Sequence, residues 1–163
     1  MALEKVIHPI PPLWNENSRV LILGSFPSVK SREQAFFYGH PQNRFWRVMA
    51  GLLQAQVPTT VEEKKALLLT HRIAVWDVVA SCEIEGSSDS SMRNVVANDL
   101  SPILEGSRIQ KLFLNGKTAE KFYKRYIFPK LQREATVLPS TSPANAAWSL
   151  ERLMDAWKVV IDL

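Results

Sequence analysis

"RVLILG" (residues 19–24) is an apolar run without polar interruption after its arginine, and it ends in a glycine. Three further runs are rich in apolar and β-branched residues, and they are "RIAVWDVV" (72–79), "KLFLNG" (111–116) and "ATVLPS" (135–140). Continuous rather than alternating hydrophobicity predicts strands that are buried on both faces, as in a parallel sheet. Helical patterns separate these runs, so the chain is expected to be an α/β protein with the order β-α-β-α-β-α-β-α.

Apolar residues at helical spacing predict the helices between these strands. One is expected at about 42–54, a second at about 60–71 and a third at about 117–127. Thr60 and Glu63 match the capping box of the second helix. A last helix is predicted to begin at Ser142 as its N-cap, with Pro143 in its first position.

The remaining segments show no regular pattern. The segment "CEIEGSSDSSMRN" (82–94) has weak periodicity and many small polar residues, so it is predicted to be a long loop. The N-terminal "HPIPPLW" (8–14) is expected to lie extended across the surface. His8 and His71 stand in no motif and are not assigned a role.

Length and composition are those of an ordinary globular protein. The chain of 163 residues has 46% hydrophobic and 22% charged residues, which predicts one domain spanning 1–163 with its own core. The sequence offers no run of roughly 18 apolar residues and no recognisable signal peptide, so a cytoplasmic location without a membrane partner is expected. A formal net charge of +4 favours polyanions as partners only modestly.

Candidate chemistry is expected where the strands end. In open parallel sheets, ligands bind beyond the carboxyl ends of the strands. The segments that follow the four predicted strands are "GSFPS" (24–28), "WDVVAS" (76–81), "NGK" (115–117) and "LPSTSPAN" (138–145). The hydroxyls of Ser140, Thr141 and Ser142 could hold a phosphate at the predicted helix start, although helix capping alone would explain them equally well.

The stretch "GHPQNRFWRVM" (39–49) resembles the Pro-x-x-Asn-x-Phe-Trp signature of the mismatch-specific branch of the uracil-DNA glycosylase superfamily. Together with "GSFPS", "LFLNGK" and "LPSTSPAN" in that order, most of the chain resembles the hypoxanthine-DNA (deoxyinosine) glycosylase group. The resemblance implies a three-layer α/β/α sandwich with a four-stranded parallel sheet in the order 2-1-3-4. It also implies a monofunctional enzyme that flips a deaminated base, most closely hypoxanthine, out of double-stranded DNA and hydrolyses its N-glycosidic bond.

The resemblance assigns the reaction to particular residues. Most branches carry Asp or Asn between the Gly-x and the Pro of the first motif, where this chain has Phe26. The hypoxanthine group relies instead on the asparagine that matches Asn43, which would orient a water molecule through its carbonyl. A rival interpretation is that Asn43 only orders its loop.

The same resemblance predicts a base pocket. Its members are Gly24 and Ser25, whose backbone N–H groups would stabilise the leaving base, Phe26, Phe37 as a stacking platform, and Asp77 and Asn115 at the base edge. Asp77 accepts hydrogen bonds when ionised and donates one when protonated, and either form could contact hypoxanthine. Phe36 or Tyr38 could serve as the platform in place of Phe37. Structural roles alone are the alternatives, and they are packing of the three rings under the turn, helix capping or loop bonding by Asp77, and the turn of "NGK" for Asn115.

DNA contacts are expected from Ser28, His40, Ser140, Thr141 and Ser142, with Arg44 as a further phosphate neighbour. The only cysteine is Cys82 and the histidines are dispersed, so neither a metal nor another cofactor is expected. The protein is expected to act as a monomer.

Other function classes stay open at this point. Uracil or a mismatched base is an alternative substrate. A non-catalytic nucleic-acid-binding module would explain Phe26 in the first motif. A phosphoryl-transfer enzyme would need acidic metal ligands at strand ends, where Asp77 is the sole good candidate.

Overall fold

A computed structural model gives the structure of residues 4–84 and 92–162. Its strands are β1 (Glu4–Ile7), β2 (Val20–Gly24), β3 (Ile73–Asp77), β4 (Val79–Ile84), β5 (Arg93–Ala97), β6 (Lys111–Asn115) and β7 (Ala135–Leu138). Its α-helices are α1 (Val29–Gln34), α2 (Phe45–Leu52), α3 (Val61–Thr70), α4 (Ser101–Gly106), α5 (Lys117–Phe122), α6 (Phe128–Leu131) and α7 (Leu150–Trp157). A π-helical turn (Tyr123–Ile127) joins α5 to α6, and a 3-10 turn (Lys158–Val160) follows α7.

The main sheet is parallel and has the strand order β3-β2-β6-β7. Ile22 of β2 lies opposite Val75 of β3 and Phe113 of β6. Every residue of β2 is buried, because helices cover both faces of this central strand. The predicted α/β class, the four parallel strands and the order 2-1-3-4 are therefore confirmed.

Successive residues of β2 point into two separate cores, which makes the architecture three-layered. Val20 and Ile22 belong to a core that includes buried residues of α2, α3 and α7. Leu21 and Leu23 belong to the other, which includes buried residues of α4 and α5.

A second sheet corrects two predictions. Strands β1, β4 and β5 form a three-stranded antiparallel sheet. The prediction of a loop over 82–94 is wrong at both ends, because β4 continues to Ile84 and β5 begins at Arg93; its middle, 85–91, lies outside the described residues. The N-terminal segment is extended as expected, but Ile10 and Leu13 are buried in the core rather than lying on the surface.

The helix predictions depended on local signals, and one of those signals failed. The capping box of α3 forms as predicted, since Thr60 accepts from the backbone of Glu63 and Glu63 accepts from the backbone of Thr60. The predicted start of the last helix at Ser142 is wrong. Helix α7 begins at Leu150, with Ser149 as its N-cap.

Candidate active site

A cleft of about 860 Å³ opens at the carboxyl edge of the parallel sheet. The last residues of its four strands, Gly24, Asp77, Asn115 and Leu138, all line it. This is the edge at which open α/β sheets bind ligands, and the volume lies in the range of small-molecule sites.

All the predicted site residues line this one cleft. They are Gly24, Ser25, Phe26, Ser28, Phe37, His40, Asn43, Asp77, Asn115, Ser140, Thr141 and Ser142. The fold thus brings together segments that are far apart in the chain, as in the Asn43–Thr141 contact with its separation of 98 residues.

Asn43 lies just before α2 with its carboxamide held from two sides. Its Oδ1 accepts from the backbone N–H of Phe45 at 2.9 Å and from the hydroxyl of Thr141 at 2.8 Å. A carbonyl oxygen has two lone pairs, and both have partners. The plane of the amide is therefore fixed, and Nδ2 is the end of the group that remains for a further contact.

Asn115 connects this amide to the far side of the cleft. Its Nδ2 donates to Thr141 Oγ1 at 3.0 Å and to Tyr38 Oη at 3.2 Å, while its Oδ1 accepts from the backbone N–H of Thr141 at 3.1 Å. A continuous chain of hydrogen bonds thus runs from Tyr38 through Asn115 and Thr141 to Asn43. Such a network resists rearrangement, because each member orients the next.

The sequence suggested Tyr38 only as an alternative stacking ring and gave its hydroxyl no role. Its backbone is left-handed, with φ at 54°, and its ring stacks on Phe45 at 4.0 Å. Burial, followed by the negative charge of Asp77, raises the pKa of Tyr38 well above its usual value, although the hydrogen bond from Asn115 opposes this. The hydroxyl therefore stays protonated and can donate.

Asp77 is buried at the end of β3 and has an unexpected partner. Its Oδ2 lies 2.8 Å from Nε2 of His8, and only 3% of the His8 side chain is exposed. Sequence patterns gave no role to His8. The available signal was Asp77 itself, a charged residue inside an apolar strand. A buried carboxyl needs a partner, but the sequence does not reveal which residue it is.

Gly24 leaves the space in which these polar groups meet. A Cβ atom at this position would lie 2.4 Å from Oδ1 of Asp77 and 3.0 Å from Oη of Tyr38. Only a residue without a side chain lets both groups line the cleft beside β2.

The aromatic residues around the turn at 36–38 pack mainly against each other. Phe36 is 4% exposed and stacks on Trp46, and Phe37 is 2% exposed and lies 5.4 Å from Phe36. Phe37 borders the cleft with little of its ring accessible. Phe26 is half-buried and also borders the cleft, with its ring edge-on to His8 at 5.8 Å.

The outer wall of the cleft carries hydroxyl and imidazole groups. Ser28, His40, Ser140 and Ser142 are partly exposed there. Each accepts a hydrogen bond from a nearby backbone N–H, which orders its own turn. Thr141 differs, because it is fully buried and its hydroxyl contacts Asn43 and Asn115.

Arg44 holds the loop that forms this wall. Its guanidinium donates to the carbonyl oxygens of Ser142 at 3.2 Å, Asn145 at 3.0 Å and Trp148, and its backbone N–H donates to Thr141 O at 3.0 Å. These bonds occupy the side chain that the sequence suggested as a phosphate neighbour. Lys117 is an exposed cation that does line the cleft.

The described residues contain neither a cluster of metal-ligating side chains nor a membrane-spanning helix. Over 4–84 and 92–162, no three His, Cys, Asp or Glu side chains gather where they could hold a metal ion. Among the helices within those same ranges, none has the length and apolar character needed to cross a membrane.

Comparison with known proteins identifies the family. The sequence profile described as Uracil DNA glycosylase superfamily matches residues 11–163. The chain belongs to this superfamily.

Individual relatives within the superfamily agree with this assignment. A protein of Methanosarcina acetivorans named Hypoxanthine DNA glycosylase is 34% identical over 92% of this chain and 94% of its own length. One of the same name from Methanosarcina barkeri is 30% identical over 90% of this chain and 92% of its own. A solution NMR structure described as a candidate uracil DNA glycosylase of M. acetivorans superposes with a TM-score of 0.80 at 33% identity, covering 96% of this chain and 97% of that one.

Proposed function

We propose that the protein is a monofunctional DNA glycosylase that removes hypoxanthine from deoxyinosine in double-stranded DNA. Its superfamily membership and two relatives named Hypoxanthine DNA glycosylase support this proposal. The observation that carries it is the meeting of Asn43 and Asp77 in one cleft at the carboxyl edge of the sheet. We also propose that it works as a monomer in the cytoplasm.

Base recognition would begin with eversion of the nucleotide, since the glycosidic bond of a stacked base cannot reach a cleft. The everted purine would lie near Gly24, where the absence of a side chain lets Asp77 and Tyr38 approach the backbone and line the cleft. Asp77 and Asn115 would meet its edge. Phe26 would offer the larger aromatic surface for stacking, with the edge of Phe37 beside it, because Phe37 is only 2% exposed.

Bond cleavage would proceed through an oxocarbenium-like sugar, with negative charge growing on the departing purine. Backbone N–H groups of the Gly24–Ser25 turn would stabilise that charge. Asn43 would hold the water molecule that captures the sugar. Since its Oδ1 already accepts from Phe45 and Thr141, Nδ2 is the atom we assign to this contact.

The outer wall would hold the DNA backbone on either side of the everted nucleotide. Ser28, His40, Ser140 and Ser142 are exposed enough to contact phosphates, and Lys117 adds a positive charge. Thr141 would act from beneath them by holding Asn43. Affinity that depends on such contacts falls as salt is added.

The decisive experiment uses duplexes that each contain one inosine, one uracil or only normal bases. The protein is incubated with each duplex in EDTA, and alkali then converts abasic sites into strand breaks. Breaks at inosine support the proposal, and their persistence in EDTA argues against a phosphoryl-transfer enzyme. Tight binding to the inosine duplex without breaks would indicate a non-catalytic binding module.

Uracil is the second candidate substrate. It is favoured by the NMR structure of similar fold, which is described as a candidate uracil DNA glycosylase. If breaks form faster at uracil than at inosine, uracil replaces hypoxanthine as the proposed substrate.

A further inference from the structure

The N-terminal segment places His8 beside Asp77, at the end of the cleft that we propose contacts the base edge. Strand β1 pairs with β4, and the pairing continues as the backbone N–H of His8 donates to Ala80 O at 2.8 Å. This places the imidazole next to Asp77, from which it is separated by 69 residues of sequence. Rings of Phe26, Phe37 and Trp76 lie around the imidazole at 5.8–6.2 Å between centroids.

The hydrogen bonds of His8 define which of its nitrogens carries the proton. The backbone N–H of Ile10 donates to Nδ1 at 3.2 Å, so Nδ1 is an acceptor and carries no hydrogen. The hydrogen therefore lies on Nε2, which donates to Asp77 Oδ2 at 2.8 Å. An imidazole held in this tautomer makes Asp77 the acceptor in the pair.

The second oxygen of Asp77 and the hydroxyl of Tyr38 lie together beside Gly24. As the second oxygen of the carboxylate that accepts from His8, Oδ1 of Asp77 is an acceptor too. Tyr38 Oη accepts a hydrogen bond from Asn115, so the hydroxyl hydrogen of Tyr38 points away from Asn115. The cleft thus presents an acceptor and a donor side by side.

We propose that His8 is a specificity-determining positioning residue, which fixes Asp77 as an acceptor so that the cleft prefers hypoxanthine to adenine and uracil to cytosine. This inference rests on the proposed function and names the chemistry of its substrates. Hypoxanthine and uracil both present a carbonyl oxygen for Tyr38 and an adjacent N–H for Asp77. Adenine and cytosine present an amino group and an unprotonated ring nitrogen, which reverses both hydrogen bonds.

The inference is tested by two substitutions at one position. In His8→Gln the amide nitrogen can take the place of Nε2 and keep a neutral donor toward Asp77. In His8→Leu the volume is retained and the donor is lost, so Asp77 loses the partner that holds it in place as an acceptor. NMR titration with free hypoxanthine and free adenine gives the ratio of their Kd values for each protein.

We expect wild type and His8→Gln to prefer hypoxanthine over adenine by similar ratios, and His8→Leu to lose at least about tenfold of that preference. A merely structural role would weaken both bases equally. An unchanged ratio in His8→Leu, or equal loss in both variants, would overturn the inference.

A second measurement needs no variant. Imidazole 15N shifts of wild-type His8 report the tautomer, and a hydrogen on Nδ1 would overturn the inference. These measurements also test the role of His8 independently of the proposed function. A wild-type protein that leaves inosine duplexes intact refutes the glycosylase proposal, while base preference and tautomer still decide the role of His8.

Discussion

Thr141 donates its buried hydroxyl to the carboxamide oxygen of Asn43 across 2.8 Å, which ties the loop after β7 to the residue that precedes α2. The same hydroxyl accepts from Asn115. Replacing it with a methyl group should therefore disturb two amides at once.

We expect Thr141→Val to lower kcat on inosine duplexes by about tenfold with little change in KM, because the water-holding amide loses its orientation while DNA contacts remain. The unpaired amides should also reduce the free energy of unfolding by about 1–3 kcal/mol. Thr141→Ser keeps the hydroxyl and is the matched control. Equal kcat in the Val and Ser variants would contradict this prediction.

Asn43→Asp separates two ways in which Asn43 could hold water. A carboxylate can accept the same bonds from Phe45 and Thr141, but it has no N–H to donate. We expect Asn43→Asp to lose at least about a hundredfold in kcat, close to the loss in Asn43→Ala, while both still bind the inosine duplex. Single-turnover cleavage and gel-shift binding measure the two quantities. An Asp variant that is as active as wild type would point to the oxygen rather than Nδ2.

A methyl group on Gly24 should displace the polar groups that line the cleft there. It would lie 2.4 Å from Asp77 Oδ1, so the buried carboxylate or the strand must move. We expect Gly24→Ala to abolish measurable excision. In the matched control, Gly51→Ala, the new methyl group meets only the flexible end of Met154, at 2.5 Å from its Cε, and excision should be unchanged. Full activity in Gly24→Ala would show that excision does not depend on the close approach of Asp77 and Tyr38 to this residue.

Arg44 is expected to act on the loop rather than on DNA. Arg44→Ala deprives three carbonyl groups of their donor, which should lower the free energy of unfolding by about 1–3 kcal/mol. Arg44→Lys should recover little, because one ammonium group cannot span the three carbonyls. Denaturant unfolding measures both, with exposed Arg47→Ala as the control.

The salt dependence of DNA binding decides between the two roles of Arg44. Removal of a phosphate contact lowers the slope of log K against log salt by about 0.9. We expect the slope of Arg44→Ala to match that of wild type. A reduced slope would indicate that Arg44 contacts a DNA phosphate.

Local patterns in the sequence predicted the sheet and the α3 cap, since burial on both faces and a capping box are written in neighbouring residues. The start of the last helix was mispredicted for a tertiary reason. Ser142-Pro143 is a good local start signal, but carbonyls at 142, 145 and 148 bind Arg44, about a hundred residues away. The helix therefore begins only after Ser149, whose hydroxyl accepts from the backbone N–H of Arg152 at 3.2 Å.

The candidate site was predictable to a similar extent. Polar residues after parallel strands share one edge of the sheet, so the meeting of Gly24, Asp77 and Asn115 follows from topology. His8 could not be found in this way, because it precedes the first parallel strand in a segment without periodicity. Its position depends on the pairing of β1 with β4, which no local signal predicted.

Tyr38 provides a prediction about stability at high pH. Burial, and then the charge of Asp77, raises the pKa of Tyr38 above the 10.0 of an exposed tyrosine, so unfolded chains release this proton at lower pH than folded ones. Below pH 10.0 both states keep the proton, and above it the free energy of unfolding should fall by at most about 1.4 kcal/mol per pH unit from this group.

The variant Tyr38→Phe lacks the ionising group, so its free energy of unfolding should fall less steeply above pH 10.0 than that of wild type. Urea unfolding of both proteins between pH 8 and pH 11 gives the comparison. Tyr123, whose pKa burial also raises, is present in both proteins, so the difference between the two curves isolates Tyr38. Parallel curves would mean that the hydroxyl ionises as easily in the cleft as in water, and it could then not serve as a constant donor to a base.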